Sequence, residues 1–187
     1  MVDFNSDQYW EQRYKQGGNS GEGSYGRSAI LKANYINNII QKYNIKSINE
    51  LGHGDGNQIT LLQDFKQYTG YDVSSTIRNT LISKFKDDRR YTFLDSIGKM
   101  SKGDLSLSLD VLYHITDYNQ WEQYLKDLFN LGEYVIIYAE DREHKGNKHV
   151  VCRKFTPYIK DTFSNYTLVD TSNGTHPHVK FYLYKRL

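Results

Sequence analysis

The amino-acid sequence predicts an α/β fold built on a mostly parallel sheet, and three observations carry that expectation. Strand-like and helix-like segments alternate through the middle of the chain. A glycine-rich turn, Gly52-His53-Gly54-Asp55-Gly56, follows the first strand, and two strand-like segments close the chain. Alternation of this kind buries a parallel sheet between helices on both of its faces.

The elements follow in order. A short helix is expected over 7–14, where Tyr9, Trp10 and Tyr14 are spaced to share a face. It breaks at 17–26, where five of ten residues are glycine, too many for the interior of a helix or strand. The next helix, about 28–43, puts Ile30, Leu31, Tyr35, Ile36, Ile39 and Ile40 on one broad apolar side. The first strand is 47–51, followed by a helix over about 57–65 and a second strand at 68–73. A helix over 74–86 has Ser74 or Ser75 as its N-cap. Strands are expected at 91–94, 105–109 and 134–139, with a helix over 121–131 ahead of the last of them. A helix at 156–163 precedes strands at 167–169 and 179–184, which form a hairpin at the sheet edge.

Composition narrows the function classes. At 187 residues, 38% of them hydrophobic, the chain suits one domain with one sizeable core. Its 24 basic and 22 acidic residues leave a net charge of +2 and are interspersed, so no basic track for extended nucleic acid is visible. Aromatics reach 14%, with 17 tyrosines; tyrosine packs its ring while keeping a polar tip, which suits a wet cleft as well as a core. Cys152 is the only cysteine, so no intrachain disulfide or cysteine-based zinc site is expected, and a reducing cytoplasm is the natural compartment. Neither a signal peptide in the first ten residues nor a membrane span of ~18 apolar residues is apparent.

The chemistry concentrates at strand tips. The glycines after the first strand let the backbone approach a ligand without a Cβ in the way. Asp72, at the end of the second strand, stands where an acid accepts hydrogen bonds from the two hydroxyls of a ribose. Glu50 beside the turn would repel a pyrophosphate, so a cationic nucleoside without phosphates fits better.

These segments resemble the motifs of class I S-adenosylmethionine-dependent methyltransferases. Glu50-Leu51-Gly52-His53-Gly54-Asp55-Gly56 looks like the first motif, with His53 where cysteine, alanine or serine is commoner; Tyr71-Asp72-Val73-Ser74 resembles the second and Phe93-Leu94-Asp95-Ser96 the third. The run Asp104–Ile115, ending Asp110-Val111-Leu112-Tyr113-His114-Ile115, is similar to the fourth strand and its turn. The resemblance implies a Rossmann-like fold of seven strands, mostly parallel, with helices on both faces and an antiparallel C-terminal hairpin. It implies one domain over 1–187, with 1–44 as lid and first helix and 45–187 as core. Its cofactor, S-adenosylmethionine, would have Gly52, Gly54, Gly56 and Glu50 at its methionine part and Asp72 on the ribose. Val73 would pack on the adenine, Asp95 would take the adenine amino group, and Leu109 and Asp110 would flank the methionyl end.

Further roles are expected from residue chemistry. Arg13 or Arg27 would pair with the methionine carboxylate, since arginine suits bidentate recognition; the alternative for Arg13 is a solvated helix charge. His114 is the leading general base, having an ordinary pKa near neutrality, with a helix cap or a carbonyl partner as the alternative. Asp110 with Glu140 or Asp141 offers hard oxygen ligands for Mg²⁺, against solvated loop acids. The polar loop 141–149 is expected to border the acceptor. The expected activity is O-methylation of a small hydroxyl compound, such as a sugar or nucleotide sugar. The alternatives are N-methylation, methylation of a protein or nucleic acid, and a non-catalytic cofactor-binding fold serving as a partner subunit or the fused half of a larger enzyme; a homodimer, or fusion to a larger enzyme, is the expected assembly.

Overall fold

The computed structural model describes residues 4–187; Met1, Val2 and Asp3, part of the segment expected to lack a leader, lie outside the described residues. Two helices come first, α1 (Ser6–Lys15) and α2 (Gly26–Tyr43). Then follow β1 (Ser47–Leu51), β2 (Gln67–Tyr71), α3 (Ser75–Lys84), β3 (Tyr91–Leu94), β4 (Gly103–Leu109), α4 (Tyr118–Leu131) and β5 (Gly132–Glu140). A two-stranded ribbon, β6 (His144–Lys145) and β7 (Val151–Cys152), leads to α5 (Thr156–Thr162), β8 (Tyr166–Asn173) and β9 (Val179–Arg186).

The seven-stranded sheet runs β3-β2-β1-β4-β5-β9-β8. β1 to β5 are parallel, while β9 is antiparallel to both β5 and β8. The expected C-terminal hairpin is therefore present, its pairing irregular at 168–170. Chain direction across the sheet reverses between β1 and β4, and in open α/β sheets the crevice at that switch, beyond the strands' carboxyl ends, is where ligands bind.

Alternating strand residues feed two cores. Leu105, Leu107, Tyr134, Ile136, Phe181 and Leu183 face the layer that holds Ile36 and Ile40 of α2 and Leu81 of α3. Val135, Ile137, Tyr182 and Tyr184 face Leu125, Leu128 and Phe129 of α4 and Ile159 of α5. Central strands buried on both faces lose the polar alternation of a half-exposed sheet, which is why 134–139 reads as one apolar run. Within β4 the buried polar residues are Ser106 and Ser108, and each is satisfied: Ser106 donates to the Leu128 carbonyl and Ser108 pairs with the Tyr124 hydroxyl, both at 2.8 Å.

The helix expected over 57–65 does not form. A single 3-10 turn (Ile59–Leu61) stands there, and Asp64 sits in the left-handed region at φ +61°. The reason is a contact remote in sequence. Asn37 of α2 donates to the Leu61 carbonyl and accepts from the Gln63 N–H, both at 3.0 Å, so one side chain takes backbone groups that a continuing helix would pair. Asn37→Ala is expected to cost about 1–2 kcal/mol, the worth of two hydrogen bonds, and to lower the melting temperature by roughly 2–8 °C; an unchanged melting curve would show that the turn holds without it. The β6–β7 ribbon was not expected. Among the described residues no helix is long and apolar enough to cross a membrane.

Candidate cofactor site

A cavity of about 340 Å³ opens at the carboxyl ends of β1, β2 and β4. Gly52 and Gly54 form its floor with positive φ of +87° and +57°. A Cβ on Gly52 would lie 2.5 Å from Val111 Cγ2, and one on Gly54 would lie 2.3 Å from Ser20 Oγ, so only glycine fits either position. Gly56 stands behind the turn, against Leu81. Asp72 is buried and braces the turn, accepting from the Gly54 and Ser74 N–H groups at 2.9 Å each.

The N-terminal segment roofs this cavity. Glu11 of α1 seals the N-terminus of α3, accepting from Ser74 Oγ at 2.6 Å, Thr76 Oγ1 at 2.9 Å and the Thr76 N–H at 3.2 Å. Those bonds, that of Ser74 first, hold its carboxyl well below the usual carboxylate range. The glycine-rich loop is stapled to the turn: Asp55 accepts from the Ser20 N–H at 2.7 Å and from the Tyr25 hydroxyl at 2.8 Å, and its own N–H donates to Ser20 Oγ. Five glycines let that loop bend, and Ser20, Tyr25 and Asp55 decide where it lands.

The wall is acidic. Asp7, Glu22, Glu50, Asp72 and Asp110 line the cavity, against two permanent cations among the described residues, Arg13 and Lys32. Burial pushes Glu50 up to about 7; the Tyr68 hydroxyl and Lys32 hold it back and Asp72 adds to the rise. Asp7 is raised as well, by burial and then by Asp72. Two buried side-chain atoms on the lining residues have no partner, Gln58 Oε1 and His53 Nε2. Gln58 spends its amide N–H on the Ala29 carbonyl. His53 Nδ1 lies 2.8 Å from the Gly54 carbonyl, which only accepts, so Nδ1 carries the hydrogen. Both orphans are therefore acceptors, and such atoms are costly until a donor reaches them.

The expected site residues take different places. Glu50, Gly52, Gly54, Asp72, Val73, Leu109, Asp110, Arg13 and His114 all line the cavity. Arg13 donates to the Asn19 carbonyl at 2.6 Å, tying α1 to the loop, and Arg27 is exposed. Asp95 stands outside the wall and pairs with Lys99 at 2.8 Å. His114 donates from Nδ1 to the His149 carbonyl at 2.9 Å, leaving Nε2 as its free acceptor, and burial lowers its pKa. The acids expected to share Mg²⁺ are committed separately. Asp141 caps α5, accepting from the Phe155 and Thr156 N–H groups, while Asp110 takes Lys32 Nζ at 2.7 Å and the Tyr113 hydroxyl at 2.8 Å. No group of three potential metal ligands occurs among the described residues.

Lys32 and Gln58 were not anticipated. Lys32 is only 1% exposed, and its signal was positional: it falls on the buried stripe Ala29, Lys32, Ala33, Ile36 of α2, where a lysine requires a partner.

No protein-family model and no curated protein matches the chain. Solved structures do. Magnesium protoporphyrin IX methyltransferase from Synechocystis, with bound S-adenosylhomocysteine, aligns with a TM-score of 0.72 over 97% of this chain and 98% of its own, at 14% identity. The N-methyltransferase NodS from Bradyrhizobium japonicum, with the same ligand, gives 0.72 over 98% and 99%, also at 14% identity. The methyltransferase domain of bacterial CtHen1-C gives 0.67 over 84% and 97%, at 21% identity. The chain has the class I methyltransferase fold. Within that fold the glycine turn, Asp72 and the end of β4 lie side by side around the switch between β1 and β4.

Proposed function

We propose that the protein is an S-adenosylmethionine-dependent methyltransferase acting on a small polar hydroxyl compound, such as a sugar or a nucleotide-linked sugar. The observation that carries the cofactor part of the reading is the wall of the cavity, where five acidic side chains stand against two permanent cations among the described residues. Such a wall repels phosphate and welcomes a donor-rich cation. The solved structures of this fold that hold S-adenosylhomocysteine support the same ligand class.

Bound here, the cofactor would supply a methyl group already activated by a sulfonium. The chain's residues would bind, orient and shield it. Asp72 would hold the ribose hydroxyls while bracing the glycine turn, and Glu50 and Gln58 would receive donors at the methionyl end. Val73, 40% exposed, would cover one adenine face. The roof made by α1 and the loop would exclude water, leaving the reaction to alignment and proton removal. Among the wall groups that can receive a hydroxyl proton are His114, through Nε2, and Asp110, through its carboxylate. Asp110 and Asp141 do not assemble a metal centre, so no step is assigned to Mg²⁺.

Titration calorimetry with S-adenosylmethionine and S-adenosylhomocysteine is expected to give saturable heat with both. Transfer of a labelled methyl group to a panel of sugars and nucleotide sugars is expected to mark at least one of them. Absence of heat with both compounds would end the reading.

A further inference from the structure

A second cavity of about 250 Å³ lies beside the first, and the two share Gly23, Asp110 and Tyr113 on their walls. Among the described residues Asp110 is the one carboxylate common to both. It is held with unusual care. Its backbone sits at φ +61°, a strained position for a residue with a side chain. Lys32 grips Oδ2 at 2.7 Å and Tyr113 donates to Oδ1 at 2.8 Å. Even so, the Asp110 side chain keeps 18% of its surface open, and each of its oxygens retains an accepting lone pair.

The second cavity's other acid, Glu140, is paired with Arg142 at 2.6 Å. Both carboxylates thus have their charge balanced by a cation, yet both still offer acceptors. Tyr138 and Tyr113 contribute ring surface, and Ser28 a hydroxyl. A chamber with acceptors, aromatic faces and balanced charge suits a neutral ring bearing several hydroxyls better than an ammonium or a phosphate.

We propose that this second cavity is the acceptor subsite, that it takes a neutral polyol ring, and that Asp110 binds the reacting hydroxyl with Lys32 as its positioning residue. The proposal rests on the methyl-transfer reading and adds the place, the acceptor class and the group that takes the proton. His114 lines only the first cavity and Glu140 and His176 only the second, whereas Asp110 alone among the described acids and histidines faces both. The hydroxyl oxygen attacks the methyl carbon with a lone pair, and a C–O bond forms. The C–S bond breaks and returns its electron pair to sulfur, leaving a neutral thioether. The hydroxyl proton passes to the Asp110 carboxylate.

Saturation-transfer NMR tests this with methyl pyranosides of glucose, galactose and rhamnose as neutral probes and glucosamine as the cationic one, in the presence of S-adenosylhomocysteine. Wild type is expected to transfer saturation to at least one neutral pyranoside. Ser28→Trp, which fills the second cavity from the partly exposed start of α2, is expected to abolish that signal while calorimetric binding of S-adenosylhomocysteine persists. Lys32→Met is expected to lose the pyranoside signal and Lys32→Arg to retain it, a rescue that a merely packed lysine would not show. Heat from S-adenosylhomocysteine with no pyranoside signal, a signal from glucosamine alone, or equal signals in wild type and Ser28→Trp would each overturn the proposal while leaving the cofactor reading intact. No heat at all would instead remove the reading on which it rests.

Discussion

Replacing Asp72 with alanine is expected to weaken binding of S-adenosylhomocysteine by roughly two to four orders of magnitude. Two hydroxyl hydrogen bonds to a carboxylate are worth about 3–6 kcal/mol together. Asp72 also accepts from the Gly54 and Ser74 N–H groups, so alanine removes both a ligand contact and the brace under the glycine turn. Asp72→Asn separates the two: it keeps a carbonyl acceptor and loses the charge, and its affinity should fall between wild type and alanine. Melting curves of both variants show whether the fold survives. A folded Asp72→Ala protein with unchanged affinity would remove Asp72 from the ribose.

The legible part of this molecule is the part that depends on local pattern. β1 and β3 fall on the residues that periodicity and composition mark, and the other main elements differ by only a few residues at their ends. Those signals are local, because a buried strand and an amphipathic helix each display their environment along a few consecutive residues. The glycine turn and Asp72 were legible for a related reason: the ends of adjacent parallel strands lie together whatever the side chains around them do.

Part of what escaped the sequence depends on partners distant along the chain. Nothing in 57–65 announces Asn37, twenty-odd residues upstream, as the group that closes its backbone bonds. Asp95 follows the expected strand end, but it is exposed outside the cavity, where it pairs with Lys99 four residues on. Lys32 was hidden by its type, since lysine normally reads as surface; its partner Asp110 is 78 positions away. The β6–β7 ribbon has two residues per strand, too few to show a period. For Asn37 and Lys32 the deciding contact is tertiary.

Between pH 4.5 and about 7 the fold is expected to lose stability through Glu50, and ligand affinity is expected to rise over the same window. Burial raises this carboxyl from 4.5 to about 7, so the folded state holds a proton that the unfolded chain has already released. Stability therefore falls as pH rises through that interval and levels off above it, by about 3 kcal/mol if the whole shift is realised. A cationic ligand reverses the preference, because it favours the ionised carboxylate beside it. Below pH 7 the ligand must expel the proton before it gains that attraction, so affinity for S-adenosylmethionine should strengthen up to about tenfold per unit of pH. Glu50→Gln removes the titration, and its affinity and melting temperature should both vary less from pH 5 to 7.5 than those of wild type. Calorimetry and thermal melts across this range check both limbs. A wild-type affinity that stays flat while its stability falls would place the bound cation away from Glu50, and equal slopes in Glu50→Gln would assign the titration to another group on the wall.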